Sequence, residues 1–394
     1  MWTQPRFHTA LYSSHFVAIC KSLYTKSLRT LITLFLIAVL ALGGWLAWQV
    51  YVPVTPPANT SLLLHPGYST RRIAAELKKA GVIRSERLFW LWHVLHPKPS
   101  LKAGEYLFER GATLPQVYDR IARGDIYFHV VTIPEGYTMF DIAKAMEDAG
   151  LGSAADFLQV AETQTQLISD LAPGAKSLEG YLFPNTYRFT RTQGLEEMAA
   201  EMVHQFRQVA QQIGLTGPQG LKPVQTPTGG GTAKAVPLPK DADGGSPGPN
   251  STSSAPHSDV SKVVAMASIV EKETAAPEER PLVASVYYNR LARNIALDAD
   301  PSVIYAELLL GTYQGSLHHA DMAVNSPYNT YRFPGLPPGP IGNPGKSALE
   351  AAVHPESTKF LYFVSDGNGH HRFARTLEEH NRNVAAYRHS LGIR

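Results

Sequence analysis

Cysteine is almost missing from this chain. Cys20 is the only one, so no disulfide can close within it and zinc sites built on paired cysteines are excluded. Acidic residues are absent before Glu76, and no Asp, Glu, Lys or Arg stands between Thr30 and Thr70. Nor is there an excess of base: the formal net charge is +3, which argues against a nucleic-acid partner. No H-E-x-x-H occurs, and the pairs His318-His319 and His370-His371 are adjacent in sequence, so neither can face one metal from one helix. "GNPGKS" (342–347) lacks the leading glycine of a phosphate loop, because Pro340 stands in that position. A G-x-S-x-G elbow is also missing. No metal and no cofactor are expected.

What is present begins with a long apolar run, "LITLFLIAVLALGGWLAW" from Leu31 to Trp48. Eighteen residues at ~1.5 Å each reach ~27 Å, close to the ~30 Å hydrocarbon core of a bilayer. Arg6, Lys21, Lys26 and Arg29 precede it without a single acid, which places residues 1–29 in the cytoplasm and everything after Val52 outside. Trp45, Trp48 and Tyr51 are expected at the far interface. A cleaved signal peptide is the competing reading, since "ALGG" offers small residues. The length of the run and of its leader favours an uncleaved anchor over 30–52.

Beyond a short spacer, "VPVTPPANT", the chain repeats itself. "GYSTRRIAAELKKAGV" (Gly67–Val82) aligns with "GYTMFDIAKAMEDAGL" (Gly136–Leu151). Each copy predicts a turn, an N-cap (Ser69 or Thr138), an amphipathic helix and a closing glycine. A strand is expected over Glu105–Glu109, a third helix from near Thr113, and another strand in "YFHVVTIPEG". Small βα units of this kind resemble LysM-like modules, which bind N-acetylglucosamine polymers; capped helices packed on a small sheet are the plainer reading. Residues 153–215 read as mainly helical, broken by the extended "LEGYLFPNTYRF". From 217 to 256 so much Gly and Pro with so little aliphatic mass predicts a disordered insertion.

Well-patterned sequence resumes at Asp259. Asp259 or Ser261 is set to cap a helix running to about Thr274, with Val263, Met266, Ala267, Val270 and Thr274 as its apolar stripe. Glu271 and Glu273 fall near its end. Residues two apart on a helix diverge by about 200°, so the two cannot form an acid/base pair in one cleft. Glu273 shares its face with Met266, Ile269 and Val270, and Glu271 with Val264, Ala267 and Ser268. Position alone does not choose between them. An apolar setting would raise either carboxyl's pKa, as a general acid requires; a helix-end glutamate is otherwise a solvated charge.

Downstream, a helix is expected over Pro281–Arg293 and a second opened by Asp300 as cap with Pro301 at its first position. The stretch from Ser326 to Ala352 carries six prolines interleaved with Tyr328, Asn329, Tyr331 and Phe333. It reads as a preshaped loop whose aromatic faces, amides and hydroxyls suit sugar rings; simple packing is the alternative. "KFLYFVSDGNGHHRFART" predicts a hairpin turning at "DGNG", followed by a last helix.

The segments "MASIVEKET", "VYYNRL", "LDADPSVIYA", "SPYNTYRFPGLPPGPIGNPGKSALEAAVHP" and "FLYFVSDGNGHHRF", with "LEGYLFPNTYRF" upstream, together resemble the YceG-like family of endolytic murein transglycosylases. The similarity runs over about residues 60–390, in the family's order, and departs at 217–256. It implies an α+β fold with an N-terminal transmembrane helix, a LysM-like subdomain over 60–130 and a YceG-like catalytic domain over 131–394. It further implies a membrane-anchored lyase that cuts the MurNAc–GlcNAc β-1,4 bonds of peptidoglycan and leaves 1,6-anhydro ends. One glutamate suffices for that chemistry. Related enzymes follow it with a small hydroxyl residue, as in Glu273-Thr274, so the resemblance points to Glu273, with Glu271 as alternative. Tyr328, Asn329 and Tyr331 are then expected to line glycan subsites, and Asn289, Arg290 and Asp300 to organise the cleft floor. The implied partners are peptidoglycan strands, the inner membrane and a peptidoglycan synthase, in keeping with a periplasmic enzyme that ends strand growth. A non-catalytic glycan-binding scaffold and a muramidase-type hydrolase are the rival readings.

Overall fold

A computed structural model describes residues 12–57, 60–97, 100–215 and 259–392. The insertion expected over 217–256 lies outside the described residues. The architecture is mixed α+β with one N-terminal apolar helix, and it divides into two compact units, 1–127 and 128–394.

In the first unit, helix α1 (Tyr12–Tyr51) contains a stretch, Leu28–Tyr51, long and apolar enough to cross a membrane. Its leucines, Phe35, Trp45 and Trp48 are exposed. Strand β1 (Thr60–Leu64) pairs antiparallel with β2 (Gly104–Phe108), Leu62 opposite Tyr106. Between them lie α2 (Thr70–Lys79) and α3 (Glu86–Leu95); α4 (Leu114–Arg123) follows. Ile73, Leu77, Phe89, Tyr106, Phe108, Val117 and Ile121 form one core. The third helix is opened by Thr113, as expected, through a reciprocal capping box with Gln116. Helix α3 has no counterpart among the expected elements, because "ERLFWLWHVL" carries apolar residues on both faces and shows no clean period.

The second unit opens with the same order of elements. Strand β3 (His129–Thr132) pairs antiparallel with β4 (Thr186–Phe189) around α5 (Met139–Asp148) and α6 (Ala154–Thr163). The sequence repeat is therefore a repeat of a strand–helix–helix–strand unit. Its two copies close alike: Gly81 N–H bonds Lys78 O at 3.0 Å and Val82 N–H bonds Leu77 O at 2.9 Å, matched by Gly150 to Glu147 O at 2.9 Å and Leu151 to Met146 O at 3.1 Å. Gly81 and Gly150 take φ of +70° and +69°, the left-handed geometry that ends a helix in this way.

Helix α7 (Leu195–Gln212) leads toward α8 (Val260–Glu273), capped by Asp259. Every residue of α8 from Val263 to Val270 is buried, so the expected apolar stripe widens to the whole circumference. Helix α8 is the central rod of the unit. Around it pack α9 (Arg280–Leu291), α10 (Asp300–Leu310) and α11 (Lys346–Val353). The hairpin of β5 (Tyr362–Ser365) and β6 (His371–Ala374) and helix α12 (Leu377–Ser390) complete it.

The proline-rich loop is held from inside. Asn343 is wholly buried; its Nδ2 donates to Tyr137 O at 2.9 Å and to Glu179 Oε1 at 2.7 Å, while its Oδ1 accepts from Leu182 N–H at 2.9 Å. Glu179 also accepts the N–H of Met139 at the start of α5. Burial pushes the Glu179 carboxyl up to about 7, with the Met139 N–H opposing the rise. Gly180 takes φ +88°, and a Cβ there would collide with Pro340, so only glycine lets this segment meet the loop.

Candidate active site

Two glutamates leave the last turn of α8 on opposite sides, as the helical spacing requires, and they enter different environments. Glu271 is enclosed, its side chain 5% exposed. Its Oε1 meets Arg280 Nη2 at 2.6 Å, and its Oε2 accepts the Gly345 N–H at 2.9 Å. Arg280 also reaches Glu135 at 3.5 Å. Glu271 thus ties α8 to α9 and to the loop at the head of α11. Burial raises its pKa, opposed by the Gly345 N–H and the Arg280 charge.

Glu273 faces a cavity of about 310 Å³, at the small end of the ~300–1,000 Å³ usual for ligand clefts. The Tyr287 hydroxyl donates to Glu273 Oε1 at 2.7 Å. Burial pushes the Glu273 carboxyl up to about 7, with the Asp300 charge adding to the rise; the Tyr287 hydrogen bond and the Arg290 charge resist it. A carboxyl held there is half protonated near neutrality, which is what a group that first gives and then takes a proton needs.

The rest of the wall is aromatic and charged. Tyr287, Tyr331, Tyr362 and Phe363 line it together with Arg290, Asp298, Asp300 and His380. Arg290 is fixed from several sides: Nε donates to Leu361 O at 2.9 Å, and Nη1 to Leu297 O at 2.6 Å and to Asp298 Oδ2 at 3.2 Å. Asp298 takes φ +52°, a strained backbone for a non-glycine residue that often accompanies functional sites. The Tyr362 ring stacks on His380 at 5.2 Å, and His380 Nδ1 has no hydrogen-bond partner among the described residues.

Three of the residues expected near the cleft, Tyr331, Arg290 and Asp300, line this cavity with Glu273. Asp300 departs from expectation only as the cap of its helix. It does not cap α10; the wholly buried Thr330 reaches from the loop instead and accepts the Ala299 N–H at 2.9 Å. Asp300 is left to accept the Tyr331 hydroxyl at 2.6 Å. Asn289, Asn329 and Tyr328 stand outside the lining. Asn289 Nδ2 holds Thr358 O and Phe360 O, each at 3.0 Å, ahead of β5. Asn329 is fully buried, its Nδ2 donating to Met322 O and Val324 O, each at 2.9 Å. The Tyr328 ring leans on Tyr305 at 5.1 Å. Tyr287, Asp298, Tyr362, Phe363 and His380 line the cavity without standing among the expected site residues. Tyr287 was open to discovery, since it lies fourteen residues beyond Glu273 on the next helix; the others reach the cavity only through tertiary structure.

An enclosed carboxyl with a neutral-range pKa, a phenol hydrogen-bonded to it and a set of aromatic side chains are groups suited to acid/base chemistry on a carbohydrate. Residues 62–386 match the YceG-like family, and the chain belongs to that family. It is 30% identical over 352 residues to the endolytic murein transglycosylase of Bacillus subtilis (strain 168), covering 85% of this chain and 87% of that protein. Over 388 residues it is 27% identical to the endolytic murein transglycosylase of Streptococcus pneumoniae serotype 2 (strain D39), covering 90% of this chain and 64% of that longer protein. Among solved structures, a yceG-like protein of Listeria monocytogenes aligns over 82% of this chain and 97% of its own, at 29% identity and a TM-score of 0.49.

Proposed function

We propose that this protein is a membrane-anchored endolytic lytic transglycosylase of peptidoglycan, with Glu273 as its one acid/base. The observation that carries the assignment is Glu273 at the cavity wall, its carboxyl pushed up to about 7 and hydrogen-bonded by Tyr287. Protonated Glu273 delivers its proton to the glycosidic oxygen as the MurNAc C1–O bond breaks, and the departing GlcNAc leaves with a hydroxyl. The resulting carboxylate takes the proton of the MurNAc C6 hydroxyl while O6 bonds to C1. Atoms and charge balance without water, so no second carboxylate is required. Tyr331 offers a ring face to the sugars, and Arg290 offers charge to an acidic substituent.

The finer parts of the reading rest on other features. The strand–helix–helix–strand unit over 60–108 supports a LysM-like, glycan-docking role for the 60–130 region, ahead of a catalytic domain over 131–394. The exposed apolar surface of α1 and the basic, acid-free leader support an inner-membrane anchor with the catalytic unit in the periplasm. A tethered enzyme beside the site of synthesis suits termination of strand growth in company with a peptidoglycan synthase.

One observation favours a second reading. Asp300 places another carboxylate on the same cavity, as a muramidase-type hydrolase would need. Mass spectrometry of products from uncrosslinked glycan strands decides: anhydro-MurNAc ends support the lyase, and ends heavier by one water support the hydrolase. An intact strand leaves only a binding scaffold.

A further inference from the structure

Helix α3 carries apolar side chains that the first unit does not use. Its inner face, Phe89 with Leu88 and Trp92, packs on the core. On the opposite side Trp90, Leu91, Val94 and Leu95 are 38%, 44%, 52% and 64% exposed. A helix that is largely apolar on its outer as well as its inner face lacks the polar face of an ordinary surface helix, and contiguous exposed apolar surface marks an interaction site.

The neighbourhood of α3 says which. Trp92, on its inner side, meets Tyr51, the last residue of α1, edge-on at 6.2 Å. Arg84, just before α3, lies over Trp48 of α1 at 4.5 Å. The chain leaving α1 has no slack. Arg84 Nη1 and Nη2 hold the carbonyls of Val52 and Pro53 at 2.5 and 3.0 Å. Val54 and Ala112 exchange both backbone hydrogen bonds, at 2.9 and 3.1 Å. Val50, still within α1, packs on the same core as α3. Wherever the outer end of α1 sits in a bilayer, α3 is therefore held beside it. Arg71 caps the patch over Trp90 at 5.3 Å, and Arg87 lies on the exposed side of α3, so cations flank the apolar surface as anionic headgroups require.

We infer that the outer face of α3, Trp90, Leu91, Val94 and Leu95, is a second membrane contact, seated in the lipid interface of the leaflet where α1 emerges. The occupant is lipid, and the inference rests on α1 being a membrane anchor. Tryptophan at the rim with leucine and valine behind it is the composition of helices that lie at this depth. The first unit is then held at two points, by a span and by a face, and its freedom to swivel about α1 is removed.

The test uses the full chain with Cys20→Ser, reconstituted into vesicles of phosphatidylethanolamine and phosphatidylglycerol. A nitroxide is placed singly by Leu91→Cys, Val94→Cys, Leu40→Cys and Glu378→Cys. All four positions are exposed, and circular dichroism checks that each labelled protein keeps its helix content. Collision with oxygen, relative to a water-soluble nickel chelate, reports depth. The expected result is a lipid-like ratio at 40, 91 and 94 and an aqueous ratio at 378. A lipid-like ratio at 40 with aqueous ratios at 91 and 94 overturns the inference and leaves the anchor standing. An aqueous ratio at 40 removes the anchor and the inference with it. Spin–spin broadening at 91 or 94 that vanishes on dilution with unlabelled protein means a second copy covers the face, and also overturns it.

Discussion

The hydroxyl of Tyr287, on α9, donates to Glu273 Oε1, on α8, at 2.7 Å. This bond stabilises the charged carboxylate, so it holds the Glu273 pKa below where burial alone would put it. Tyr287→Phe removes the donor without changing the packed ring. A hydrogen bond to a charged group contributes about 1.5–3 kcal/mol, and one pKa unit is about 1.4 kcal/mol. The alkaline limb of the pH–rate profile should therefore move up by about one unit. A profile displaced downward, or unmoved, contradicts the proposed role of this bond.

Glu273→Gln should remove at least about 10²-fold of the cleavage rate, as loss of a general acid does, while the protein stays folded. It should also alter stability in a pH-dependent way. The wild-type carboxyl is raised from 4.5 to about 7, so its folded state favours the proton. That contribution is whole below about 4.5 and is lost as the pH rises through about 7. Glutamine never ionises, so the variant should gain on wild type between pH 5 and pH 8, by at most about 3 kcal/mol. Denaturant midpoints at the two pH values measure it.

The contrast with Glu271 is testable by breaking its ion pair from either side. Arg280→Ala strands a buried carboxylate and should cost about 3–5 kcal/mol. Glu271 then holds its proton more tightly, so the loss should shrink as the pH is lowered. Glu271→Gln keeps an acceptor for the Gly345 N–H and should cost less stability. The alkaline limb set by Glu273 should remain in place in both variants. A limb that moves with Glu271→Gln would transfer the acid/base role to that residue.

Tyr331 joins a ring face to a hydroxyl that Asp300 accepts at 2.6 Å. If the face binds sugar, Tyr331→Ala should raise KM for glycan strands about tenfold, the equivalent of about 1.4 kcal/mol. Tyr331→Phe should leave KM close to wild type. Equal effects from both variants would instead assign the function to the hydroxyl.

The Asn343 side chain satisfies three groups on two segments at once. Asn343→Leu leaves the Leu182 N–H and the Glu179 carboxyl without their partner in the interior, at a cost of about 1–3 kcal/mol for each group. Urea denaturation should show a loss of at least about 2 kcal/mol, with the m-value preserved if the unfolding remains two-state.

Local signals in the chain were enough for much of this architecture. Ser69, Thr138, Thr113 and Asp259 all cap where their side chains and the following periodicity place them, because a cap is satisfied within three residues. The divergence of Glu271 and Glu273 was equally legible, being a property of the helix alone. Helix α3 escaped, since one of its apolar faces is explained by packing and the other is not. Asp300 next to Pro301 looks like a cap, yet Thr330, thirty residues away in sequence, takes that position through a loop closure no local pattern encodes. Asn329 reads as a polar group ready for a ligand. It is instead consumed by the carbonyls of its own loop, a distinction that depends only on burial.

Helix α8 is entered from one end and bears Glu273 at the other, fourteen residues on, or ~20 Å along its axis. Leu215, just beyond α7, and Val260, the first residue of α8, are both buried, so the chain is anchored where it leaves one helix and where it enters the next. A disturbance where the chain enters α8 therefore has to cross about four turns of largely buried helix before it reaches Glu273.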